Sequence, residues 1–288
     1  MRLFRFGEKG KELPGVQVDS IRYDCSDTFE DWNRSFFTNS GLERLEKKIK
    51  ECLSDFKKIS DDVRLGSPVS RPGMILCVGL NYKDHAEESN MDIPTEPILF
   101  MKATNTLAGP YDPVTIPKDS SKTDWEVELG IVMGEDISYA ANLVSAEQAI
   151  AGYCIINDLS ERAFQLEKGG QWVKGKSCPG FTPVGPYLIT KDEIPNVLSL
   201  DMRLYVNGKL MQDGNTSTMI FDPAYIVHYV SQFMKLEAGD IISTGTPPGV
   251  GLGMSPPTYI KAGDVVRLEI ESLGYQKQTM IPFDTSEE

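Results

Sequence analysis

A chain of 288 residues, 40% hydrophobic and 25% charged, has the make-up of one large globular domain, or of one domain with a smaller appendage, and not of a disordered polymer. Asp and Glu outnumber Lys and Arg by 42 to 29, and the net charge of −13 repels phosphate backbones and anionic lipid, so neither nucleic acid nor a membrane surface is an expected partner. The N-terminal MRLFRFGEKGKELPG is interspersed with charge and no apolar run reaches about eighteen residues, so a cytoplasmic location without secretion signal or membrane span is expected.

The first periodic segment, SGLERLEKKIKECLSDFKK, puts Leu42, Leu45, Ile49, Leu53 and Phe56 on one stripe with Glu and Lys on the other faces. That pattern predicts a helix packed on the core from outside. The Pro, Gly and Ser of SDDVRLGSPVSRPG then mark a boundary near Arg71. Residues 1–70 therefore read as a small N-terminal appendage to a domain spanning 71–288.

From Met74 onward short β-type runs dominate, among them MILCVGL, PILFMK, ELGIVMG, GYCIIND, VGPYLIT, LDMRLYVNGK, DIISTGT and DVVRLEIESLG. Asn207-Gly208 predicts a tight hairpin turn. Helical segments are few: SAEQAIAGY, the stretch after Asp158, and DPAYIVHYVSQFMKL. Strands and helices do not alternate as βαβ units do. An α+β fold built on a large mixed β-roll or barrel with peripheral helices is expected instead of a doubly wound parallel sheet. The five cysteines are odd in number, form no CxxC pair and lie mostly in apolar runs, which predicts buried thiols instead of disulfides or zinc ligands.

Several polar residues stand out against these runs. His85 follows the β-run MILCV within GLNYKDHAEESN, and a helical turn would bring Glu88, at i+3, against it. Such a pair can activate a water, because the carboxylate holds the imidazole in one tautomer and raises its basicity. It can equally be ordinary surface polarity. His228, within AYIVHYVSQF, reads as structural.

In TDWEVELGIVMG, Glu126 and Glu128 stand at i and i+2 of a strand, so both carboxylates leave the same sheet face while Trp125, Val127, Leu129 and Ile131 look buried. Like charges on one face repel, which points either to a solvated edge or to a shared cation. Asp158 ends the buried run GYCIIND, where it either caps a helix or adds a third carboxylate. Three carboxylates with no His or Cys nearby suit Mg²⁺ or Mn²⁺, with zinc and copper disfavoured.

GQWVKGKS, residues 170–177, fits the spacing of a phosphate-binding P-loop. A P-loop must open a helix whose N-terminus faces the phosphates, and Pro179 and Pro183 forbid a helix after Ser177. Lys176 needs another explanation.

Taken together and in order, CVGLNYKDHAEE, PILFMK, DWEVELGIVMG, GYCIINDLSERAFQ, GKSCPGFTPVGP, LYVNGKLMQDGNTSTMIFDP and GDIISTGTPPGVG resemble the fumarylacetoacetate hydrolase family over about residues 73–270. Within it, DWEVE, NDLSERAFQ and TGTPPGVG are most similar to a group labelled ureidoglycolate lyase-like, which includes oxaloacetate tautomerase-type proteins. The resemblance implies that Glu126, Glu128 and Asp158 bind Mg²⁺, with Mn²⁺ as the alternative. It also implies that His85 and Glu88 form a water-activating dyad, that Lys176 stabilises an enolate or substrate carboxylate, and that Gln165 and Thr246 contact substrate. A small anionic 2-oxo acid as substrate and a homodimer as assembly are expected on the same ground. One departure stands out: where many acylpyruvate-cleaving members have the Arg of GRNY, this chain has Leu80. The expected chemistry is hydrolysis of a C–C bond. Keto–enol tautomerisation or decarboxylation of oxaloacetate, a lyase, hydratase or isomerase reaction, and ligand binding without turnover are the alternatives.

Overall fold

A computed structural model describes residues 1–84 and 92–284. In chain order, β1 (Arg2–Phe6), β2 (Leu13–Val18) and β3 (Ile21–Asp24) precede two helices, α1 (Arg34–Thr38) and α2 (Gly41–Cys52). Strands β4 (Ile75–Gly79), β5 (Ile98–Lys102) and β6 (Val127–Met133) follow, then α3 (Leu143–Gln148) and β7 (Ile150–Asn157). Short helices α4 (Arg162–Leu166) and α5 (Trp172–Lys176) lead into β8 (Thr182–Thr190) and the hairpin of β9 (Asp201–Val206) and β10 (Lys209–Asn215). Helix α6 (Pro223–Ser231), β11 (Ile241–Ser243), β12 (Val265–Ile270) and β13 (Gly274–Ile281) complete the order.

These strands form two mixed sheets, the α+β architecture expected. The larger runs β3-β2-β1-β8-β7-β6-β11-β4-β5, and the smaller runs β10-β9-β12-β13. Most pairings are antiparallel, but β11 joins β4 in parallel, with Ile242 opposite Leu76. The β9–β10 turn is formed by Asn207 (φ +50°) and Gly208 (φ +79°), both in the left-handed region that a tight hairpin demands.

Every residue of β6, β7 and β8 is buried, because both faces of the larger sheet are covered. Alternate side chains therefore enter different cores. Val127, Leu129 and Ile131 join one cluster with Trp125, Ile155 and Leu268, whereas Val132, Cys154, Ile156 and Leu188 join a second with Leu3, Trp32, Phe36 and Leu45. The two sheets are stitched by Gln276 of β13, whose fully buried amide donates to the carbonyls of Ile155 (2.8 Å), Pro183 (3.2 Å) and Gly185 (3.1 Å). A bulge in β7 opposite β8 leaves carbonyls that regular pairing does not use.

Residues 1–70 share both sheet and core with the remainder. Leu3 of β1 pairs with Leu188 of β8, and Trp32 donates its indole N–H to Phe4 (2.8 Å) beneath that junction.

Two helix boundaries differ from the sequence pattern. SAEQAIAGY is not one helix: Asn142 caps α3 through a capping box with Ser145, and the chain is already strand from Ile150. The run AIAGYCII has neighbours on both sides in the sheet, and that pairing overrides the helical spacing. Helix α2 ends at Cys52, and Phe56 is buried from beyond it after a single 3₁₀ turn. Among the described residues no helix is long and apolar enough to cross a membrane.

Candidate metal and substrate site

Three elements converge at one end of β6. The strand itself delivers Glu126, at its threshold, and Glu128; the end of β7 delivers Asp158, whose N–H bonds the Glu126 carbonyl (3.0 Å). Carboxylate oxygens of Glu126, Glu128 and Asp158 all lie within 4.8 Å of one another, and all three residues are buried. Asp158 does not cap a helix; that role falls to Glu161, which accepts from the Ala163 N–H.

Helix α5 brings Lys176 to this cluster in its last turn. Its Nζ lies 2.6 Å from Glu126 Oε2 and 2.6 Å from Asp158 Oδ2. The close seating of α5 depends on Gly175, where a Cβ would fall 2.4 Å from the Glu161 carbonyl oxygen and 2.5 Å from Gln165 Cβ. The apparent P-loop is therefore a short helix packed on α4, with its lysine turned toward carboxylates. No helix follows Ser177.

Three further charged residues complete the floor, and the sequence reading assigned none of them a role. Lys102, at the end of β5, is fully enclosed and donates to Asp158 Oδ1 (2.5 Å) and to the carbonyls of Leu159 (3.0 Å) and Phe181 (2.8 Å). Arg162 bridges Asp124 Oδ2 (2.8 Å) and Glu126 Oε1 (2.6 Å). Asp124 in turn accepts from the N–H groups of Gly251 (2.7 Å) and Leu252 (3.0 Å), fixing the loop after β11. A lysine closing the apolar run PILFMK was the visible signal for Lys102, and the spacing of Arg162 four residues after Asp158 was the signal for the arginine.

Four buried carboxylates, Asp124, Glu126, Glu128 and Asp158, thus meet three buried cations, Lys102, Arg162 and Lys176. Burial pushes the Glu126 pKa up, but the neighbouring Lys176 and Arg162 outweigh it and hold the group below the usual carboxylate range. Burial likewise opposes the charge on Lys176, and Asp158 and Glu126 overcome it and raise its pKa. Glu128 is left as the excess anion. Burial first, then Asp158 and Glu126, push its pKa well above normal. Its Oε2 accepts from Ser243 Oγ (2.6 Å) and the Gly245 N–H (2.8 Å), both neutral donors. Gly245 has φ +97°, and a Cβ there would meet Asn81 Cβ at 2.8 Å, so this donor is held in place by a residue only glycine replaces without strain.

An oxygen-only donor set in which Glu128 meets only neutral donors among the described residues fits a hard divalent cation. The floor opens into a cavity of about 470 Å³, lined by Glu126, Glu128, Arg162, Gln165, Lys176 and Thr246 on its polar side. Gln165 accepts from Arg162 Nη1 (3.1 Å) through its carbonyl oxygen, and its amide nitrogen has no hydrogen-bond partner among the described residues. Thr246 uses its hydroxyl proton on the Val127 carbonyl (2.9 Å) and accepts from Gln212 Nε2 (2.8 Å), so donation to a ligand would compete with that bond. His85 and Glu88 lie outside the described residues. His228 sits on α6, away from this lining.

Residues 74–281 match the family model described as fumarylacetoacetate (FAA) hydrolase, C-terminal. A relative from Burkholderia multivorans, whose name goes no further than hydrolase, is 46% identical over 283 residues, which is 96% of this chain and 98% of its own. The solved structure of a fumarylacetoacetate hydrolase from psychrophilic Exiguobacterium antarcticum is similar with a TM-score of 0.87 and 34% identity, covering 98% of this chain and 100% of that one. A maleylpyruvate hydrolase from Sphingobium sp. SYK-6, solved with manganese(II) and pyruvate, is similar with a TM-score of 0.82 and 26% identity over 99% of this chain and 100% of that one.

Proposed function

The chain belongs to the fumarylacetoacetate hydrolase family, and from that premise we infer that it is a Mg²⁺- or Mn²⁺-dependent enzyme cleaving a C–C bond in small 2-oxo acids of the acylpyruvate or dicarboxylate kind. The observation that carries this reading is the buried triad of Glu126, Glu128 and Asp158, its oxygens within 4.8 Å of one another, of which Glu126 and Glu128 line an open cavity. The manganese and pyruvate bound by the Sphingobium relative give the cation and ligand class their precedent.

Glu126, Glu128 and Asp158 would hold the cation. When bound, it supplies Lewis-acid polarisation of a keto oxygen and a carboxylate oxygen. Lys176 keeps a permanent positive charge beside that position, because its two carboxylate neighbours favour the ammonium. It is placed to stabilise negative charge that develops on the substrate, a contact worth roughly 3–4 kcal/mol in a water-excluded site. Arg162 orients Glu126 and the Gln165 amide, whose nitrogen is available to a substrate oxygen. Lys102 fixes Asp158 through its Oδ1 and does not itself line the cavity. Hydrolysis also needs an activated water, the role the family resemblance assigns to His85 and Glu88.

A second reading is tautomerisation of a 2-oxo diacid such as oxaloacetate, which needs charge stabilisation by Lys176 and no activated water. It draws on Lys176, whose ammonium beside Glu126 and Asp158 is placed to stabilise an enolate, the species both reactions share. Proton NMR of acetylpyruvate and oxaloacetate with the protein, with and without Mg²⁺, separates the two. Metal-dependent release of pyruvate and acetate from acetylpyruvate supports hydrolysis. Accelerated loss of the enol with the carbon skeleton intact supports tautomerisation, and no change in either compound counts against both.

A further inference from the structure

The cavity changes character between floor and mouth. Its floor is charged and buried, whereas the opposite side is formed by Leu80, Phe100, Leu166, Trp172, Val250 and Leu252. Phe100 joins the two regions. Lys176 Nζ lies 5.1 Å from its ring centroid, and the Trp172 ring packs edge-on against it at 5.2 Å. Trp172 is itself lodged against the backbone of β4, since a Cβ on Gly79 would come within 3.1 Å of its Cζ3. The apolar wall is therefore built into the fold and begins directly beside the cluster that would hold the 2-oxo acid head.

At the mouth, Leu166 is 46% and Leu252 39% exposed. Large aliphatic side chains left in water at the rim of a cavity mark a surface kept for an apolar ligand more often than chance exposure. Leu80 adds a separate sign. It is held at φ +52°, a conformation that costs a non-glycine residue energy and that persists where the surroundings enforce it, commonly at ligand sites.

The charges tell the same story. Among the described lining residues the cationic side chains are Arg162 and Lys176, and each already bonds two carboxylates. A second carboxylate at the far end of a substrate would meet Leu80, Trp172 and Leu252, with no unengaged cation among the described lining residues to pair with, and an unpaired charge against apolar walls is strongly disfavoured. An alkyl or aryl group in the same place would gain burial.

We propose that this site selects 2-oxo acids whose far end is uncharged and apolar over diacids of the same length, with Leu80, Trp172 and Leu252 as the specificity-determining contacts. The inference rests on the reading of the floor as a 2-oxo acid site and narrows its substrate class to 2-oxo monoacids with an apolar far end.

Isothermal titration calorimetry on the full chain with Mg²⁺ tests it, using pyruvate, 2-oxohexanoate and 2-oxohexanedioate as ligands. The expected result is that 2-oxohexanoate binds at least about tenfold more tightly than 2-oxohexanedioate. Leu80→Arg and Leu252→Arg, the latter at an exposed position that tolerates charge, should each narrow or reverse that ratio. Binding of pyruvate together with equal or tighter binding of the diacid overturns the selectivity and leaves the 2-oxo acid site standing. A ratio unchanged in both arginine variants overturns the assignment of the contacts. Failure of all three ligands to bind, with Mg²⁺ or Mn²⁺, overturns the reading of the floor and the selectivity with it.

Discussion

Lys176 is the residue on which the charge balance of the site turns. With its ammonium 2.6 Å from both Glu126 and Asp158, it neutralises carboxylates that burial would otherwise make untenable. Removing one partner of a buried ion pair leaves the other charge uncompensated, at a cost of about 3–5 kcal/mol. Lys176→Met should therefore lower the melting temperature of the metal-free protein, and Mn²⁺ should restore part of the loss, because a divalent cation replaces the missing positive charge. Turnover should stay depressed by about a hundredfold or more in the presence of Mn²⁺. A thermal melt with and without Mn²⁺, set beside a turnover assay, checks both halves. The thiols allow a simpler measurement. Burial pushes the Cys25 and Cys154 thiols up to about 12 and Cys178 to about 11, and Cys77 is raised well above its ordinary value; only Cys52 is half-buried. The reactive species is the thiolate, so iodoacetamide at pH 8 should label the native chain at Cys52 and reach the other four only after denaturation, as read by peptide mass spectrometry.

Short elements place the site, and buried polar side chains place the elements. Asn81 is fully buried just after β4, donates to the carbonyls of Thr244 (2.7 Å) and Phe221 (3.0 Å), and accepts from the Phe221 N–H (2.8 Å). One amide thus ties the end of β4 to the loop after β11 and to the entry of α6. The block GLNYKDHAEESN stands out through Leu80 and His85, yet its asparagine Asn81 is structural. Asn81→Ala should cost roughly 2–4 kcal/mol, since two carbonyls and an N–H lose their partner in a dry site. Urea denaturation of the two proteins compares them directly, and a change below about 0.5 kcal/mol would show that water replaces the amide. At the same scale, the spacing of α2 and the hairpin at Asn207-Gly208 were legible from sequence because each depends on a few neighbouring residues. The boundary inside SAEQAIAGY was not, because the strand forms only where β6 and β8 are there to pair with it.

Over the whole molecule, the N-terminal seventy residues share one sheet and one core with the rest of the chain. β1 occupies the edge of β8, and Leu3, Trp32, Phe36 and Leu45 fill a core shared with Val132, Ile156 and Leu188. A chain beginning at Met74, the start of the matched family region, would expose both that strand edge and that apolar face. It should aggregate or lack a cooperative thermal transition, and a soluble truncation melting near the full chain would show that the larger part folds alone. The homodimer that the family resemblance implies is testable on the intact protein. Sedimentation equilibrium should return twice the 32.0 kDa chain mass.

The family, the α+β class and the carboxylates Glu126, Glu128 and Asp158 are legible in the chain before it folds, because each is written in short ordered blocks whose residue types and spacing carry the chemistry locally. The tertiary structure alone decided that Lys102 and Arg162 belong to the same cluster, that Lys176 bridges two of its carboxylates, and that an apolar wall of Phe100 and Trp172 stands beside them. These groups come from four separate stretches, residues 100–102, 124–128, 158–162 and 172–176, and meet only when β5, β6, β7 and α5 are packed. Charge pairing in a buried floor is set by distance and dielectric, and both exist only after that packing has formed.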